Sequence, residues 1–106
     1  MFVEVDLSDP AGCPALREPD DFGRFKVVFH GSGDLVSAAA ALAPAGELVD
    51  ADSAILRVDA VRELAGACAT DPDWRGGFAS MLDYAQAKGW LDEQRTNLAV
   101  HCEWSR

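Results

Sequence analysis

The sequence predicts a single two-layer α+β domain: a mainly antiparallel sheet of four to five strands with three helices packed on one face. Three observations carry that prediction. Phe25, Val27 and Phe29 alternate with Lys26, Val28 and His30, and Leu98, Val100, Cys102 and Trp104 alternate with Ala99, His101 and Glu103; a period of two marks a strand buried on one side. Trp74, Phe78, Met81, Leu82 and Ala85 recur instead at helical spacing, which demands one buried stripe. With 106 residues and 49% hydrophobic composition, the chain is sized for one core and too apolar for general disorder.

Each element follows in turn. Met1 to Leu7 reads as a strand with Val3, Val5 and Leu7 inward. Ser8 to Gly23 carries Pro10, Gly12, Pro14, Pro19 and Gly23, a long connection expected to be a lid or tether, or to hide a helical turn around residues 14–17. The strand Arg24–His30 ends at Gly31-Ser32-Gly33, and a helix capped by Ser32 or Asp34 buries Leu35, Ala38, Ala39 and Leu42 before Pro44 and Gly46 stop it. Glu47 to Val49 is a short edge strand, and Asp50-Ala51-Asp52 turns the chain into a strand from Ser53 to Val58. Asp59 is the expected cap of the next helix, whose buried side is Val61, Leu64, Ala65 and Cys68. Asp71 caps the long helix with Pro72 at its first position, where a missing N–H costs nothing, and Gly89 stands just past its end. After Asp92-Glu93-Gln94-Arg95 the strand Thr96–Trp104 closes the chain. From Arg24 the order β-α-β-β-α-α-β fits the split β-α-β (ferredoxin-like) arrangement, in which the Arg24–His30 and Thr96–Trp104 strands run antiparallel as neighbours.

Charge and composition narrow the function classes. Eighteen acidic against nine basic residues give a net charge of −9, and the cations are scattered singly. Nucleic-acid binding needs concentrated positive charge, so no nucleic-acid partner is expected; an anionic membrane surface is disfavoured likewise. No apolar run reaches the roughly 20 residues that cross a bilayer. The acidic, alternating start is unlike a signal peptide, so a soluble cytoplasmic protein is expected, and the Arg-over-Lys, Ala-rich usage fits a high-GC bacterial source. Cys68 and Cys102 fall on apolar faces as reduced core residues, whereas Cys13 lies in the loop as the accessible thiol.

Few motifs carry chemistry. Gly31-Ser32-Gly33 precedes a helix, but Asp34 stands where a phosphate would sit, and a plain turn explains the glycines. Tyr84 and Lys88 match the Y-x-x-x-K spacing of short-chain dehydrogenases, whose nucleotide-binding fold has no room here; an exposed helix face explains the pair. Asp50, Asp52 and Asp59 lack the spaced oxygens of a calcium loop and serve as turn formers and a cap. His30, His101, Lys26 and Glu103 share the polar sheet face and form the candidate ligand-binding set, although two histidines leave a metal site short of ligands. Trp90 and Cys13 are the candidate partner contacts.

No metal or cofactor is expected from these residues. They point to a small acidic binding or accessory module, non-enzymatic, with a protein partner or a second copy of itself as its occupant. An acidic inhibitor or immunity protein that blocks a basic active site is an alternative reading. A small enzyme or small-ligand binder using the His30/His101 face is another.

Overall fold

The long strands bury alternate residues on one face of a curled six-stranded sheet whose strands lie in the order 15–17, 2–6, 26–30, 97–105, 53–57 and 46–48, with Val28 buried on the opposite face as the exception. The computed structural model describes residues 1–8, 14–23, 25–31 and 34–105. Its strands are β1 (Phe2–Asp6), β2 (Ala15–Arg17), β3 (Lys26–His30), β4 (Gly46–Leu48), β5 (Ser53–Arg57) and β6 (Asn97–Ser105), and its helices α1 (Leu35–Leu42), α2 (Val58–Ala65) and α3 (Pro72–Ala87). A 3₁₀ turn at Gly66–Thr70 joins the last two. Val3, Val5, Val27, Phe29, Leu56, Leu98 and Cys102 from the sheet meet Leu42, Val61, Trp74, Phe78 and Leu82 from the helices in one core. The sheet curls enough for α2 to touch both β5 and the far edge strand β2.

The α+β class, the single core and the one-sided helices match the expectation, while the topology does not. β3 and β6 are neighbours but parallel, with Lys26 opposite His101 and Phe29 opposite Trp104. β1 also runs parallel to β3, so the sheet is mixed and has six strands. In the split β-α-β order, β3 would lie against β5; here β6 is inserted between them. Alternation fixes which face a residue takes but carries no information on strand direction. The chain between β3 and β6, with all three helices in it, is ample for the crossover that parallel pairing needs.

Other corrections are local. Ala15–Arg17 is a strand, not a helical turn: it pairs with β1, Val3 facing Leu16, and takes up the outer edge of that strand. Leu35, expected in the buried stripe, is 48% exposed, because α1 turns Ala38 and Leu42 to the core instead. Asp59 lies inside the first turn of α2 and pairs with Arg62 at 3.2 Å; β5 runs directly into this helix, leaving Arg57 at the cap position. Arg57 is used elsewhere, donating to the carbonyls of Pro44 and Ala43 at the end of α1. Cys13 lies outside the described residues, as do Ser32 and Arg24.

The signals around α3 act as read. Asp71 accepts from Asp73 N–H at 2.9 Å, Pro72 opens the helix, and Gly89 takes φ 81° beyond its end. Trp74 stacks on Phe78 with ring centroids 4.8 Å apart. Phe78 is 2% exposed at the centre of the core. Phe78→Ala should therefore cost about 3–5 kcal/mol, cavity included, and a chemical-denaturation midpoint unchanged within error would show that this helix does not seal the core. Two glycines should give opposite signs in the same assay. A Cβ at Gly46 would stand 2.1 Å from the Ile55 carbonyl oxygen, so Gly46→Ala should destabilise; at Gly76, on the open side of α3, Gly→Ala should stabilise by about 0.5–1 kcal/mol.

Candidate functional site

Residues directly opposite on paired strands share a face, so the register aligns the uncovered side of the sheet in rows. One row is Phe2, Lys26, His101 and Ser53; the next is Glu4, Val28 and Glu103; a third is Asp6, His30 and Ser105. All four predicted ligand-binding residues thus lie on this face. Three of the four are paired, Lys26 with Glu103 and His30 with Glu4, and His101 belongs to neither pair. Lys26 Nζ donates to Glu103 Oε2 at 3.0 Å, and His30 Nε2 lies 3.1 Å from Glu4 Oε2, whose other oxygen accepts from Arg17 Nε at 3.3 Å. These pairs close over Val28, which is only 8% exposed although it lies outside the core.

His30 and His101 fall four residues apart along the parallel ladder, roughly 13 Å at strand rise, so one small ligand atom cannot engage both. Among the described residues no three His, Cys, Asp or Glu side chains come together as a metal site. Cys102 is no nucleophile either. Burial, followed by the charges of Asp50 and Asp52, pushes its thiol up to about 11, which keeps it protonated at neutral pH.

One of several concave regions lies beside this face. β3 begins at Lys26, opposite His101, whereas β6 begins at Asn97, so the first residues of β6 extend past β3. Trp90 and Leu91 fill that side: Ala99 N–H donates to the Trp90 carbonyl at 2.7 Å, and Leu91 bridges Leu98. Between this segment and the start of β3 remains a cleft of about 370 Å³, lined by Phe25, Trp90, Ala99, His101, Ser53 and Asp52. A smaller apolar hollow of about 70 Å³ continues from it towards α3, where Phe22, Met81 and Tyr84 join Phe25 and Trp90.

Local sequence explains each wall. After Gly89 the chain folds back, Trp90 N–H donating to the Ala85 carbonyl at 2.9 Å, and the Trp90 ring meets Tyr84 edge-on at 5.9 Å. The carboxylate of Asp92 then locks the turn, accepting from Thr96 N–H and Oγ1, both at 2.7 Å, and from Asn97 N–H and Nδ2, both at 3.2 Å. On the other side, Trp74 Nε1 donates to the Pro19 carbonyl at 2.8 Å, holding the 18–23 loop against α3. Gly77 makes that approach possible, since a Cβ there would lie 2.4 Å from the Phe22 ring. Asp52 is placed by the turn before β5: its N–H donates to Asp50 Oδ1 at 2.8 Å, and its carbonyl accepts from Cys102 N–H at the same distance.

Among the lining residues, Trp90, 48% exposed, is the expected partner contact, Tyr84 and Asp52 are expected as an exposed helix face and a turn former, and Phe22 and Phe25 carry no expected site role. Phe25 reads as a core residue because it shares the period of Val27 and Phe29. Phe22 lies in a Gly- and Asp-rich loop with no period at all. An isolated aromatic in a polar loop was the one available signal. Comparison with known proteins finds no matching family model, no matching curated protein and no matching solved structure.

The Asp92 lock has a pH signature. Hydrogen bonds from Thr96, then Asn97, hold its carboxyl below the ordinary carboxylate range. A depressed folded-state value contributes stability above the unfolded value and loses it as pH falls through the folded one. Stability should therefore decline with acidification from about pH 4 downward, and Asp92→Asn should make that decline shallower. Denaturation curves across this range check it; equal slopes for both proteins would show that the Asp92 bonds do not bias folding.

Proposed function

We propose that this chain is a non-enzymatic binding module whose partner, a protein, docks at the cleft between Phe25 and Trp90. The observation that supports the reading is the continuity of the two hollows: five large apolar side chains from three separate segments converge there, and Trp90 and Tyr84 remain about half exposed. Half-buried aromatic side chains at a concave site are the usual anchors of a protein interface. A reducing, cytoplasmic setting suits the free Cys68 and Cys102 thiols.

The acidic-inhibitor reading differs only in the nature of the partner, a basic active site, and finds support in Asp50 and Asp52 beside the cleft, neither with a cationic side chain within 4.0 Å among the described residues. An enzyme or small-ligand binder built on His30, His101, Lys26 and Glu103 has less support, because Lys26 and Glu103 pair with each other, His30 pairs with Glu4 instead, and the two histidines lie four residues apart along the ladder.

The test is a random twelve-residue peptide library selected on the intact protein. Enriched peptides should lose at least tenfold in affinity on Trp90→Ala or Tyr84→Ala. Peptides that bind those variants unchanged but fail on Lys26→Ala would move the site to the open sheet face. A second copy as the occupant would show as a dimer mass by light scattering at high micromolar concentration, reverting to monomer on Trp90→Ala.

A further inference from the structure

We infer that the group entering the cleft between Phe25 and Trp90 is a cation, the ammonium or guanidinium of a lysine or arginine side chain on the partner. This rests on the location proposed above and adds the chemistry of the occupant. Among the residues lining the cleft, the aromatic rings of Phe25 and Trp90 supply apolar walls and Asp52 supplies the carboxylate. An aliphatic stem against two aromatic walls with its charged head at a carboxylate satisfies both kinds of lining at once, and a ring face adds cation–π attraction. An anionic group would meet Asp52, with Asp50 hydrogen-bonded to it from the same turn.

Among the described residues no cationic side chain pairs with Asp52, and several cations are engaged elsewhere, which leaves this carboxylate for a partner. Lys26, the residue after Phe25 and opposite His101, is neutralised by Glu103 at 3.0 Å. Arg95 is held by Asp83 at 2.9 Å, and Lys88 sits over the Tyr84 ring at 5.5 Å. Arg62 lies similarly over Phe78 at 5.4 Å, so a cation on an aromatic face is a contact made twice among the described residues. The net charge of −9 draws cations towards the surface from a distance, and the cleft selects among them at contact.

Three short peptides test the inference on the full-length protein labelled with ¹⁵N: Gly-Ser-Lys-Ser-Gly, its isosteric norleucine analogue and its glutamate analogue, each with blocked ends. The lysine peptide should shift the Trp90 indole and the Ser53 and His101 amides saturably. The norleucine peptide should bind at least fivefold more weakly, and the glutamate peptide should leave those signals in place. Asp52→Asn should lower the lysine-peptide affinity at least fivefold and Asp59→Asn, on α2, should not change it. Trp90→Phe, which keeps a ring, should retain more affinity than Trp90→Ala. Equal binding of lysine and norleucine peptides at Trp90 would overturn the cation while leaving the docking site standing. Shifts spread over all acidic surfaces without saturation at Trp90, or equal losses on Asp52→Asn and Asp59→Asn, would overturn the inference by showing general charge attraction alone.

Discussion

The unequal lengths of β3 and β6 are the constraint from which the candidate site follows. β6 has nine residues and β3 five, so part of the central strand has no β3 backbone to pair with. A backbone donor or acceptor left unpaired and dry costs as much as a lost hydrogen bond. The protein meets that demand with the segment after α3, which is why Gly89 must reverse the chain and why Asp92 must hold it in place. Filling the overhang with two residues instead of a full strand leaves the space beside Phe25. The cleft is thus a by-product of satisfying a β-ladder, lined with aromatic side chains.

How much of this was legible depends on the kind of signal. The start and stop of α3 were readable because Asp71, Pro72 and Gly89 each answer a local backbone requirement. The inward faces of β3 and β6 were readable because alternation reports burial. Direction was not, since a strand has the same pattern read either way, and the parallel β3–β6 pairing is decided by tertiary packing. Ala15–Arg17 was missed because three residues are too few to show a period. Asp59 misled because an acid in the first turn of a helix favours the dipole whether or not it caps. In the same way the polar-face residues Lys26, His30, His101 and Glu103 could be placed together, while the cleft needed loop residues brought in from three segments.

Charge is distributed in a way the net figure conceals. On the open face, Lys26 pairs with Glu103 and Arg17 with Glu4, in the rows that flank and include Val28. Exposed pairs of this kind contribute little stability individually. Their effect is to leave the excess of acid elsewhere, notably in the turn from Asp50 to Asp52, whose charges add to burial in raising the Cys102 thiol. One turn therefore places a carboxylate at the cleft and adds to the effect of burial on the Cys102 thiol.

The two ends of the sheet carry a consequence of their own. β2 and β4, the outermost strands, are each three residues long, and β4 is pressed so closely on β5 at Gly46 that no side chain fits between them. A neighbouring molecule seeking to extend the sheet would find a ladder of only a few hydrogen bonds on either side, too short to register against. Six strands are thereby kept from templating a seventh from another molecule. Short edges thus do for an open sheet part of what closure into a barrel does, which is to leave little strand for another chain to pair with.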